Sequence, residues 1–107
     1  MDLRELQTEH HDWQRYNFPD QVPYQALLGA MEELGELAHA HLKASQHIRE
    51  YDEVKFKEEA VDAIGDLLIF LAGYCNGVGI DFQFALEYTW EKVRQRDWQK
   101  NPGGEDY

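Results

Sequence analysis

Cysteine is nearly missing from this chain, and a disulfide framework is excluded with it, because the single thiol, Cys75, has no intrachain partner. Set in an apolar run, Cys75 reads as a small buried hydrophobe, which suits a reducing compartment. Long apolar runs are missing too. The longest, residues 67–75, falls far short of the roughly 20 residues a membrane span requires. The start Met1-Asp2-Leu3-Arg4-Glu5 lacks the basic and apolar stretches of a secretory signal. A soluble, cytoplasmic protein that does not engage membranes is expected. Basic residues are scarce: 10 Lys and Arg against 21 Asp and Glu give a formal net charge of -11. That balance repels nucleic-acid backbones and anionic lipid, so nucleic acid is not an expected partner. It repels a small anionic substrate as well, unless bound cations invert the local field. No glycine-rich phosphate loop of Gly-x-x-x-x-Gly-Lys-Ser/Thr type occurs, and no Gly-x-Ser-x-Gly nucleophile elbow, so any phosphate chemistry must run through metal.

What is present is apolar material for one core: 43% hydrophobic and 13% aromatic residues in a chain of 107. Residues 1–100 read as one domain and 101–107 as a flexible tail. The strand signal is weak, no internal repeat is visible, and the few Gly and Pro positions divide the chain into four helical stretches. In the first, Leu3, Leu6, His10 and Trp13 share a face, and Asn17-Phe18-Pro19-Asp20 ends it. The second runs from Pro23 to about Ser45, with Leu27, Leu28, Met31, Leu34, Ala38 and Leu42 as its apolar side. After a loop over 46–53, the third runs from near Val54 to the glycines at 77 and 79. Asp81 caps the fourth, whose stripe is Phe82, Leu86, Thr89, Trp90 and Val93. The fold class expected is all-α.

Two acidic segments carry the chemistry. Glu32, Glu33 and Glu36 fall within an arc of about 100° on an ideal helix, away from the Leu28, Met31 and Leu42 side. Alone, such a motif is the ordinary solvated face of a helix. Glu59, Asp62 and Asp66 share an arc of about 60°, and the same face continues into Ile69, Phe70 and Gly73. Beyond Asp66 the helix is apolar on nearly every side, which calls for surrounding protein. Carboxylates at that boundary must be protonated, paired or bound to a cation. A set of oxygen donors only points to Mg²⁺ or Mn²⁺. If the second and third helices pack antiparallel, both arcs can face one cleft.

Other residues offer less. Glu36-Leu37-Ala38-His39 has the Glu-x-x-His spacing of di-iron bundles, but that architecture needs two such motifs and one occurs. Lys92 and Arg96, four apart beside the last helix's stripe, could reach a polyphosphate, although pairing with surface glutamate is the commoner fate of such residues. Trp13 and Tyr16 could stack on a nucleobase, although aromatics at helical spacing more often build cores.

Over residues 13–98 the sequence resembles the MazG-type nucleotide pyrophosphohydrolases of the all-α nucleoside triphosphate pyrophosphatase superfamily. The resemblance rests on Trp13-Gln14-Arg15, Glu32-Glu33-Leu34-Gly35-Glu36-Leu37, the segment from Asp62 to Leu71, Gly79-Ile80-Asp81 and the segment from Glu91 to Arg96. It implies a four-helix bundle completed by oligomerisation, as a homodimer or homotetramer. It also implies Mg²⁺-dependent hydrolysis of a nucleoside triphosphate between the α and β phosphates. On that likeness Glu33 and Glu36 are metal ligands, Glu32 orients or deprotonates water, and Lys92 and Arg96 contact phosphates. The second motif departs from the family's Glu-x-x-Asp. Assigning Asp66 puts Ala63 where glutamate is expected, while Glu59-x-x-Asp62 restores the residue types one helical turn earlier. Two rival readings remain: a non-catalytic helical interaction module, and a carboxylate-bridged metal-binding bundle.

Overall fold

Three of the four helix starts carry an aspartate that answers the free amides of a first turn. Asp2 accepts the Glu5 amide at 2.8 Å, Asp52 accepts those of Val54 and Lys55, and Asp81 accepts that of Phe84 at 3.0 Å. The remaining start uses Pro23, with the Gln25 side chain accepting the Val22 amide at 2.8 Å. The computed structural model describes residues 1–48 and 51–104. They form α1 (Leu3–Asn17), α2 (Pro23–Gln46), α3 (Glu53–Val78) and α4 (Phe82–Val93), with no strand among the described residues. Gly79 ends α3 at φ 76°, and the Ile80 amide returns to the Cys75 carbonyl at 2.9 Å. Residues 101–104 turn back on themselves, the Gly104 amide donating to the Asn101 carbonyl. The rest of the expected tail, 105–107, lies outside the described residues.

α2 and α3 form an antiparallel hairpin, the largest contact in the molecule. Its register is set by Gly77 against Pro23, Gly29 against Phe70, and His41 beside Phe56 with ring centroids 6.0 Å apart. The seam is built from small side chains: Ala26, Ala30 and Ala40 of α2 are buried, as are Ala63 and Ala72 of α3. α1 lies across α3, and Gln7 latches α4 to it. The Gln7 side chain donates to the Ile80 carbonyl and accepts the Phe82 amide, while its own carbonyl accepts from Asn76. Arg4 adds an ion pair to Asp81 at 3.3 Å.

The burial of α2 differs from the expected one. The stripe of large apolar residues faces outward, with Met31 71% exposed and Leu27, Leu28, Leu34 and Leu42 also exposed. Periodicity shows that a stripe is to be covered, but the alanine side of the helix packs on α3. On α3, Val61, Ile64, Leu68 and Ile69 are exposed as well, and on α4 so are Leu86 and Trp90 of the expected stripe. The radius of gyration is 17.4 Å, against about 13 Å for a closed globule of this length. α3 is long and apolar enough, by length and composition, to cross a membrane. It nevertheless carries Asp62 and Asp66 in its middle turns and packs against α1 and α2.

At Gly29 the two helices touch closely: a Cβ there would lie within 2.7 Å of three ring atoms of Phe70. Gly29→Ala therefore forces the ring or the helix to move, and is expected to destabilise the fold by about 1–3 kcal/mol. A urea denaturation midpoint equal to that of the parent chain would refute this close approach.

Candidate functional site

Two adjoining clefts flank the hairpin. The first, about 690 Å³, is bordered by Glu32, Glu33 and Glu36 of α2 and by Glu59, Asp62 and Asp66 of α3. All six carboxylates singled out in the sequence thus border one space. The register explains why. Antiparallel packing sets the turn of Glu33 opposite that of Asp66, the turn of Glu36 opposite Asp62, and the turn after His39 opposite Glu59. Ala63 is buried within the seam and borders the same cleft. The Glu59/Asp62 and Asp62/Asp66 readings of the second motif therefore describe neighbouring turns of a single wall.

Carboxylate oxygens of Glu32, Glu33 and Glu36 can all lie within 4.8 Å of one another. Such crowding has an electrostatic signature at Glu33. Desolvation raises its carboxyl above the ordinary value of 4.5, and the charges of Glu36 and Asp66, a hydrogen bond to Glu36, and the charge of Glu32 raise it further. None of the ion pairs seen among the described residues involves these carboxylates. Oxygen-only donors in mutual repulsion fit a hard divalent cation such as Mg²⁺ or Mn²⁺, with several of the six carboxylates available to it.

The raised Glu33 value has a testable sign. The folded chain holds that proton more tightly than the unfolded chain, so without divalent cation stability falls as pH rises from 4.5 through the raised value. Glu33→Gln should accordingly melt a few degrees higher than the parent at neutral pH in chelator, and should lose part of the parent's stabilisation by added Mg²⁺. A lower melting temperature in chelator would contradict the repulsion.

The second cleft, about 1030 Å³, is largely apolar and lies between α1, the 18–21 connection and α3. Trp13, Phe18, Ile69 and Phe70 line it, with Trp13 and Phe18 meeting edge to face at 5.8 Å. His10 also lines it, and burial, with a contribution from His11, holds that imidazole below its usual pKa. Nδ1 of His10 and Oε1 of Gln14 are buried without a hydrogen-bond partner among the described residues, both resting against Gly73, where a Cβ would fall 2.8 Å from His10. Asp66 borders both clefts. An aromatic cleft and an acidic one therefore share a single carboxylate in their walls.

Lys92 and Arg96 border neither cleft; the Lys92 ammonium lies 4.5 Å from the centre of the Tyr88 ring on its own helix. Two further residues of α2 border the acidic cleft: His39, whose Glu-x-x-His spacing the sequence shows, and Lys43, which was not singled out. Lys43 lies seven residues from Glu36 on the same helix face, and this is the signal that could have found it. The chain matches no family model, no curated protein and no solved structure.

Proposed function

We propose that this protein is a divalent-cation-dependent nucleotide pyrophosphohydrolase of the MazG type, converting a nucleoside triphosphate and water into the monophosphate and pyrophosphate. The observation that carries the reading is that Asp66 lines both the aromatic and the acidic cleft. A ligand filling both needs a flat apolar end and an anionic end that tolerates carboxylate walls only through cations. A nucleoside polyphosphate with Mg²⁺ has both ends.

In this reading Glu33 and Glu36, with Asp62, Asp66 and Glu59 across the cleft, hold the cation. When bound, Mg²⁺ or Mn²⁺ supplies charge neutralisation on the phosphate oxygens and a more acidic water. Glu32 orients the attacking water and takes its proton. The water oxygen bonds to the α phosphorus, the bond to the α–β bridging oxygen breaks, and the electron pair leaves with pyrophosphate. Trp13 stacks on the base, with Phe18 and Phe70 closing the apolar end. Lys92 and Arg96 contact phosphates only if α4 is brought over a cleft by a second protomer.

A homo-oligomer, dimer or tetramer, belongs to the same proposal, because the outward stripes of α2 and α3 are too apolar to stay wet. Covering them completes the four-helix bundle. With those stripes in a protein interface and Asp62 and Asp66 in mid-helix, α3 suits a soluble, cytoplasmic protein better than a membrane span. The deciding experiment incubates the protein with a panel of canonical and modified nucleoside triphosphates and Mg²⁺ and measures pyrophosphate. No release from any member rejects the enzyme. His39 beside the carboxylates favours one second reading, a transition-metal-binding bundle, which an iron-loaded, coloured and hydrolytically silent protein would support.

A further inference from the structure

We propose that Lys43 binds the terminal phosphates of the substrate and the pyrophosphate that leaves, and so selects a three-phosphate chain over shorter ones. The inference rests on the pyrophosphohydrolase reading for its reaction, and on the order of groups along the hairpin for its geometry.

That order is linear. The aromatic cleft reaches Asp66, the turn of Glu33 lies opposite Asp66, that of Glu36 opposite Asp62, and that of Ala40 opposite Glu59. Lys43 comes next on α2, at the end of the acidic cleft away from Trp13 and Phe70. Among the described residues lining the two clefts it is the one lysine or arginine. Seven residues at 1.5 Å each place it roughly 10 Å along the axis from Glu36. Helical side chains lean towards the amino-terminal end, which carries its reach back over His39 towards Glu36. A base at one end and an ammonium at the other fix the direction of the bound nucleotide. The α phosphate lies among the carboxylates near Asp66, and the β and γ phosphates run towards Lys43.

Lys43 is half-buried, and no ion pair joins it to another described residue, although six carboxylates border the same cleft. Its place in the last turn of α2 complements the helix dipole. The dipole explains a cation at this end of the helix; it does not explain one that lines the acidic cleft. An ammonium there neutralises charge on the β and γ phosphates, and so on the pyrophosphate as it departs.

The test compares the parent chain, Lys43→Ala and Lys43→Arg. Pyrophosphate binding in Mg²⁺ is measured by titration calorimetry, and kinetics are measured on a nucleoside triphosphate and its diphosphate. Lys43→Ala should weaken pyrophosphate binding and raise KM for the triphosphate by about tenfold or more, from loss of a charge-assisted contact. Its effect on the diphosphate should be several-fold smaller, and Lys43→Arg should restore most of the loss. Equal pyrophosphate affinity in parent and Lys43→Ala, in a parent that cleaves triphosphates, overturns the assignment and leaves the enzyme standing. A parent that cleaves nothing but binds pyrophosphate through Lys43 supports the assignment and rejects the enzyme. A parent that neither cleaves nor binds overturns both.

Discussion

Glu36→Gln is expected to lower pyrophosphate release from the preferred nucleoside triphosphate by more than about a hundredfold, since even partners one step removed from a metal carry 10–100-fold effects. Glu36 lies within reach of Glu32 and Glu33 and across from Asp62, so the substitution removes one charge from the centre of the set. Glutamine keeps the length and the helix propensity of glutamate, and the residue is exposed, so the fold should persist. Relieving repulsion should if anything raise the melting temperature in chelator. Loss of rate together with loss of Mg²⁺ binding, in a protein of unchanged helicity, is the expected pattern. Retained turnover at parental Mg²⁺ affinity would remove Glu36 from the site.

The second large effect concerns the outward stripe of α2. Paired substitution Met31→Asp and Leu34→Asp should convert an oligomer into a monomer and destabilise each protomer by on the order of 3 kcal/mol or more, the scale of burying two such side chains. In a monomer these positions would already be wet, being 71% and 54% exposed. Exposed substitutions usually change stability by less than about 0.5 kcal/mol. Sedimentation at micromolar concentration, with thermal melts of both proteins, reads the difference. A monomeric parent with a melting temperature insensitive to the two aspartates would show that the stripe is not an interface.

The helices were legible because their punctuation is chemical and local. Pro23, Asp81 and Gly79 act within one turn of themselves, and the boundaries they mark fall within a residue or so of those read from the pattern, whereas α4, whose stripe was expected to fade only near Trp98, ends at Val93. The side on which α2 packs was not legible. A 3.6-residue stripe says that apolar side chains want covering, whatever covers them, and the register of Ala26, Ala30 and Ala40 against α3 involves residues far apart in sequence. The acidic wall was legible as two arcs, and their convergence follows once the hairpin is antiparallel. The doubt over Ala63 came from treating the second motif as a single turn, whereas Glu59, Asp62 and Asp66 extend over more than one. Lys43 escaped notice because a lysine in the last turn of a helix has an ordinary explanation. Lys92 and Arg96 illustrate the reverse: their spacing suggests a phosphate clamp on one helix, yet α4 ends at Val93, before Arg96, and neither residue borders a cleft of its own chain.

The alanine seam between α2 and α3 works as a ruler. Interaxial distance between packed helices is set by the side chains at the contact, so the methyl groups of Ala30, Ala40 and Ala63 fix how far apart the two carboxylate walls stand. Cation coordination tolerates little error in that separation, because Mg²⁺ accepts oxygens only near 2.0–2.1 Å. A larger residue in the seam would widen the gap without touching a single acidic group. On the proposed reading, affinity for the ion would be written partly in residues that carry no charge, and the alanine standing where a glutamate is expected would be one graduation of that scale.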